Sequence, residues 1–478
     1  MSEWAACAAR MILAASLAGV AQADPTADAA LAALGQPNLV TNVSNFPSGT
    51  PSASSLALSN AADLAIAPNG RVYISDADNH RVLSWPDAAS FSNLDPADRV
   101  FGQPDFVSGA PNNGGISASS LALPQGVWVD DAGDLWVCDA FNHRVLRFNN
   151  PEIDATPAVA DLVIGQFDFT SGLANLTGNK DAPSAASLLF PGRVVAQGAD
   201  LYVSDSGNSR VLRYRNVAAN TPAAEQVFGQ FDSFVSRAEN NDGMGAFGCC
   251  ASAGNLRNPI GLAVNGAGDL FIADWNNHRV LRFDAAATGD SLADGVIGQA
   301  DLQSNAPDAL SADGGLHNPI DLAFDARGDL WIADAANHRV LRVAAPRFQP
   351  QVWDVYGQGG GFGLDEVNRG MGPFFCDASS LFEPTAMAFS PNGRLLILDT
   401  QNMRALRYAT PRSFAPGDAN CDGFVTVADI GRFVAALLDP AAFVAATPRC
   451  PISNCDTNAD GFVTVSDIGT FVTILTGG

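Results

Sequence analysis

Three stretches decide how this chain reads: Asp139-Ala-Phe-Asn-His-Arg-Val-Leu-Arg147, Asp274-Trp-Asn-Asn-His-Arg-Val-Leu-Arg282 and Asp334-Ala-Ala-Asn-His-Arg-Val-Leu-Arg342. Each follows an apolar strand and leads into another. Weaker copies carry Arg81, Arg210 and Arg404, so the motif occurs six times, its arginines 63, 66, 69, 60 and 65 residues apart. A second motif alternates with it: Gly35-Gln36, Gly102-Gln103, Gly165-Gln166, Gly229-Gln230, Gly298-Gln299 and Gly357-Gln358. Two motifs in strict alternation mark a repeat architecture.

Within a unit, Gly261–Val264, Asp269–Ala273 and Arg279–Phe283 read as strands, rich in Val, Ile and Phe and bounded by Gly, Asn and Asp turns. The Gly-Gln strand is the fourth. Six such units predict an all-β six-bladed propeller, which protects its sheet edges by closing into a ring. The chain opens with a lone Gly-Gln strand, Ala32 to Gln36, and the sixth unit ends after Tyr408 without one. The first strand is therefore expected to complete the last blade. The run Pro259-Ile-Gly-Leu-Ala-Val264 ahead of Asn-His-Arg resembles the NHL repeat family over roughly residues 32–410. The motif Asp and Arg are expected to pair across adjacent strands, with His and Asn bonding turn backbone. Four of the five histidines occupy this one repeated position, which marks them as structural.

Composition bounds the function. The 478 residues carry 26 Lys+Arg against 50 Asp+Glu, a net charge of −24, and Lys180 is the only lysine. Phosphate binding needs clustered basic residues, so no nucleic-acid partner is expected. Arg10, the apolar run Met11–Ala21 and Ala21-Gln22-Ala23 read as a secretory signal over 1–23, too short to span a bilayer. A secreted chain without membrane insertion is expected, with the propeller over 24–412. Cys138 is expected to be a buried thiol, and the pairing of Cys249, Cys250, Cys376 and Cys455 is left open by their spacing.

Function in a propeller sits at the channel or on the loops of one face. The position two residues after the blade-opening proline (Ala61 in blade one) reads Asp63, Gly126, Arg193, Gly261, Asp321 and Ala386. Charged residues on alternate blades thus face a common axis. One reading is a polar site for a cation or small anion; the other is a mutually neutralised salt-bridge cluster, since burying unpaired charge is costly. Phe141 and Trp275, at the variable position of the turns, are candidates for contact with an unknown ligand at the propeller face, or else pack under the long loops. The resemblance also implies enzymatic relatives, a lyase with a three-histidine zinc and lactonases with a channel calcium. His317 alone lies outside the turns, so the zinc site cannot be assembled. A calcium site on Asp63 and Asp321 is the enzymatic alternative.

After Pro416 the pattern changes. Asp418-Ala-Asn-Cys-Asp-Gly-Phe-Val-Thr-Val-Ala-Asp429 recurs 38 residues later as Asp456-Thr-Asn-Ala-Asp-Gly-Phe-Val-Thr-Val-Ser-Asp467. Both fit a calcium loop, in which hard oxygens at positions 1, 3, 5, 7, 9 and 12 converge and Gly at position six makes the sharp turn. The ligands are then Asp418, Asn420, Asp422, Phe424 (carbonyl), Thr426 and Asp429, and Asp456, Asn458, Asp460, Phe462 (carbonyl), Thr464 and Asp467, for two Ca2+. One helix is expected after each loop, Val427 to Leu438 and Val465 to Leu475. Two loop–helix halves resemble a type I dockerin over 413–478. That resemblance implies calcium-dependent folding, a pairing of Cys421 with Cys450, and docking to a cohesin-like or other extracellular protein, with an association to polysaccharide breakdown. Positions ten and eleven, Val427-Ala428 and Val465-Ser466, depart from the Ser-Thr pair of dockerins, which leaves a different partner or the chain's own propeller open. The leading expectation is a non-catalytic binding or adaptor protein; the rival is a channel-sited lyase or lactonase.

Overall fold

The computed structural model describes residues 29–50, 61–152, 157–217, 220, 222–248, 250–309, 314–344, 347, 350–359, 361, 364–447 and 450–476. The predicted signal over 1–23, Cys7 and Cys249 lie outside them. Six four-stranded antiparallel sheets form the ring. Blade one comprises Ala61–Ile66, Val72–Asp76, Arg81–Trp85 and Arg99–Phe101, and blade five Pro319–Phe324, Leu330–Asp334, Arg339–Ala344 and Gln351–Tyr356. In blade six, Pro384–Phe389, Leu395–Asp399 and Arg404–Arg407 take their fourth strand from the other end of the chain: Ala32 pairs with Arg407, Ala33 with Leu406 and Leu34 with Ala405. The ring is closed as the motif order predicts.

The repeat motif builds the framework. Each second strand is buried over its last five residues and ends in Asp, followed by a 3-10 turn closed by a left-handed residue (His80, His143, Ser209, His278, His338 or Met403). The turn places Arg beside Asp with Nε to Oδ2 distances of 2.7–2.8 Å in all six blades. The guanidinium then staples the long loops on both sides of its blade: Arg279 donates to the carbonyl of Leu302 after the blade and to those of Ser252 and Asn255 before it. The expected backbone role of Asn is corrected, while His does bond backbone, but at the entry of the next blade and not in its own turn. Motif Asn donates to the Asp carboxylate and pairs with a loop side chain, as Asn142 with Asn112. His80, His143, His278 and His338 accept at Nδ1 from the N–H of Leu123, Phe190, Asn318 and Glu383, so they clip one blade to the next.

The C-terminal part adds three helices, α1 (Ile430–Leu438), α2 (Pro440–Ala446) and α3 (Asp467–Leu475). The α2 helix is not among the expected elements. Asp439 caps it, accepting from Ala442 N, and Pro440 opens it, a start signal the sequence does carry. Phe433 of α1 and Phe471 of α3, equivalent residues of the two loop–helix halves, stack at 3.9 Å with planes 4° apart.

Candidate functional site

At the channel the sequence-predicted residues meet. Each inner strand of blades one, three and five has a bulge just before its charged residue, which re-aims that side chain. Arg193 reaches across the axis to both acids, ion-pairing with Asp63 and with Asp321 at 2.7 Å. Gly126 and Gly261 make this closure possible: a Cβ at either would lie 2.6–2.7 Å from a carbonyl of the next inner strand. The remaining oxygens are also used. Asp63 accepts from Leu64 N and Val127 N, and Asp321 from Met387 N, all at 2.7–2.8 Å. Arg193 gives a further bond to the Thr385 carbonyl at 3.2 Å. All three side chains are buried. Burial lowers the Arg193 guanidinium and raises the Asp321 carboxyl, against the pull of their mutual attraction. The arrangement is an ion-paired plug of two carboxylates on one guanidinium, completed by backbone N–H groups, over a channel cavity of about 320 Å³.

On the face of the long loops, Phe141 is exposed and its ring lies 5.7 Å edge-on to Phe190, a residue the sequence pattern does not single out. Trp275 is half-buried instead. Cys138 is a fully buried thiol, raised by burial; Cys376 and Cys455 are buried as well.

The C-terminal loops share one hydrogen-bond scheme. Asp418 accepts from Asp422 N and Gly423 N, and Asp456 from Asp460 N and Gly461 N. Asp429 accepts from Asn420 N and Thr426 N, and Asp467 from Asn458 N and Thr464 N. Asn420 and Asn458 donate to Asp422 and Asp460. Phe424 and Phe462 stand at position seven with their N–H on the same two aspartates. Cys421 is bonded to Cys450. Among the described residues no three His, Cys, Asp or Glu side chains are gathered as a metal cluster, and the loop carboxylates accept from backbone N–H groups. The donor chemistry nonetheless fits a hard cation. Asp418, Asp429 and Asp467 are fully buried, and among the described residues no loop aspartate has a basic partner. Burial, with neighbouring acids adding to it, lifts Asp418 and Asp456 above the ordinary carboxylate range.

The outer surface of these helices is a feature the motif spacing does not reveal. Val427, Ile430 and Val434 are exposed, and so are their counterparts 38 residues on, Val465, Ile468 and Val472; Val427 is 77% and Val465 80% exposed. Leu438 extends the stripe. A signal is present in the sequence: the short helices carry apolar residues on two sides, and only the Phe433/Phe471 side is needed for the core.

This geometry defines a propeller with a plugged channel and a paired-loop helical appendage. Four segments, 58–83, 121–148, 256–283 and 316–342, match the NHL repeat. The chain is an NHL-repeat six-bladed β-propeller followed by a few C-terminal helices. The unmatched third and sixth blades have Ser209 and Met403 where the others have His. Human Teneurin-4 is 26% identical over 294 residues, 57% of this chain and 10% of that protein, and the mouse protein is 25% identical over the same span. The chain thus spans about a tenth of the length of these curated relatives. Similar solved structures include virginiamycin B lyase from Staphylococcus aureus (10% identity, TM-score 0.39, 72% of this chain and 79% of that one). Another is a Bacteroides thetaiotaomicron protein of unknown function (12% identity, TM-score 0.46, 78% and 75%).

Proposed function

We propose that this chain is a secreted, non-catalytic binding or adaptor protein. The propeller is a rigid recognition scaffold, and residues 413–478 are a dockerin-like tether, folded around two calcium ions, to a cohesin-like or other extracellular protein. The observation that carries this reading is the duplicated apolar stripe, Val427/Ile430/Val434 and Val465/Ile468/Val472, left exposed on both halves. Exposed apolar patches on a folded surface mark interaction sites. The rival enzyme reading finds its channel acids already consumed by Arg193 and backbone N–H groups.

Two measurements on the full chain test this. Metal content should be about two calciums, lost in Asp418→Ala/Asp456→Ala and unchanged in Asp63→Ala. A further calcium that disappears with Asp63→Ala would favour the enzyme. Calorimetric titration with cohesin-type domains should show binding that chelator and Val427→Asp/Val465→Asp both abolish. If no such domain binds, the cohesin assignment fails.

A further inference from the structure

The segment joining the two calcium loops is gripped by the propeller. Arg327, on an exposed turn of blade five, donates from one nitrogen to the Phe414 carbonyl at 2.6 Å and from the other to Asn454 Oδ1 at 2.9 Å. Asn454 is buried and turns inward: its Nδ2 donates to the carbonyl of Asp418, the first residue of loop one, at 3.1 Å. Its own carbonyl accepts from Gly417 N at 2.7 Å. Two residues on stands Asp456, the first residue of loop two. Gln351, at the start of blade five's outer strand, accepts from Ile452 N at 2.8 Å and faces the carbonyl of Cys450, whose disulfide leads to Cys421 inside loop one. Two propeller side chains therefore touch the short segment 450–454, from which both loops are hung. A cleft of about 700 Å³ at this seam is lined by Arg327 of the propeller and by Asp456 and Asp460 of loop two.

We propose that blade five completes the metal-loop machinery. Arg327 and Gln351 are positioning residues that hold segment 450–454 in the shape that takes a divalent cation, so that cation binding and seating of the module on the propeller form one linked equilibrium. The proposal rests on the calcium reading of the loops. Linkage is reciprocal: whatever the seat adds to cation affinity, the cation adds to the seat. The apolar stripes on α1 and α3 stay exposed in the seated arrangement, so seating and partner docking use different surfaces.

The test uses the full chain, with CaCl2 titrated by calorimetry and hydrogen exchange followed over residues 409–416 and 450–456. Wild type should bind two ions, and chelation should raise exchange in both segments. Arg327→Ala/Gln351→Ala should weaken calcium about fivefold, the lower end of usual couplings, while the propeller's thermal transition stays put. Arg327→Ala alone, on an exposed turn, should shift affinity in the same direction, and Arg327→Lys should recover part of it. Unchanged affinity in these variants, or exchange in 409–416 indifferent to chelation, overturns the coupling while leaving the calcium loops standing. A wild-type chain that binds no calcium overturns the loop reading itself, and this proposal with it.

Discussion

The two regions of this chain bury aspartates in opposite ways. In the propeller, Asp76, Asp139, Asp205, Asp274, Asp334 and Asp399 are fully buried, and each meets its own arginine five residues on. In the C-terminal module, Asp418, Asp429 and Asp467 are as deeply buried but meet only N–H groups and other acids. A buried charge is tolerated when a partner and hydrogen bonds satisfy it. The propeller encodes that partner within the same turn, so each blade is self-sufficient. The module encodes none, and on the calcium proposal its counter-charge comes from solution.

The largest effect should come from removing a partner where the chain supplies it. Arg279→Ala strands Asp274 and frees three loop carbonyls. Breaking a buried pair from one side costs about 3–5 kcal/mol. Calorimetry should show that loss in the propeller transition, with or without calcium. A cost below about 1 kcal/mol, or rescue by calcium, would remove the distinction between the two regions.

Next comes removal of the imported partner. Chelation should lower the module's stability by about 2.8 kcal/mol, about 1.4 kcal/mol for each of two sites, relative to calcium at a tenfold excess over its Kd. The propeller transition should move by no more than the seat coupling, about 1 kcal/mol. A module transition indifferent to chelator would mean that its buried acids are accommodated by backbone N–H groups alone.

The same contrast governs what is legible in the sequence. The motif arginines recur because each blade needs one, and periodic need is visible: six blades, ring closure and the Asp–Arg pairs can all be read from spacing. Asp63, Arg193 and Asp321 can be placed at the axis by counting from the blade-opening residue, but that they saturate one another depends on bulges and on the close strand approach at Gly126 and Gly261. The seam is not legible. Arg327, Gln351 and Asn454 occur once each in that role, and a contact made once between parts distant in sequence leaves no period. The helix surfaces are half-legible, since the apolar residues are in view but the side facing the core is not.

Asp329 lies between the two regimes, in blade five at the seam. Arg342 Nε stands 3.0 Å from its Oδ2 but out of hydrogen-bonding alignment. That guanidinium is already engaged by Asp325 at 2.5 Å and the Arg412 carbonyl at 2.6 Å. Burial raises the Asp329 carboxyl from 3.8 to about 6, with Arg342 only partly offsetting it. The folded state then holds this proton more tightly than the unfolded chain. The contribution is fully present below the unfolded value and is lost as pH rises through about 6. A tenfold difference in proton affinity between the folded and unfolded states is worth about 1.4 kcal/mol, so wild type should gain about 2 kcal/mol between about pH 7.5 and 4 from this group. Asp329→Asn should flatten that part of the pH profile in thermal melts; a slope unchanged by the substitution would place the pH dependence elsewhere.

The smallest predicted effect is a change near zero or a slight gain. Phe190 sits at φ +49, left-handed, where blades four and five have Asn258 at +53 and Asn318 at +54. Asn visits this conformation readily; for a bulky residue it costs about 1 kcal/mol. Against that, the Phe190 ring packs edge-on to His143 at 4.6 Å and Phe141 at 5.7 Å, yet stays 44% exposed. Phe190→Asn should leave stability within about 0.5 kcal/mol of wild type or raise it, as judged by chemical denaturation. If it does, the ring's packing does not offset its backbone strain in the folded state, and the exposed Phe141–Phe190 pair becomes the place on the loop face to look for a ligand. A loss above about 1 kcal/mol would instead make the pair a packing device, leaving the apolar stripes of α1 and α3 as the surface on which recognition rests.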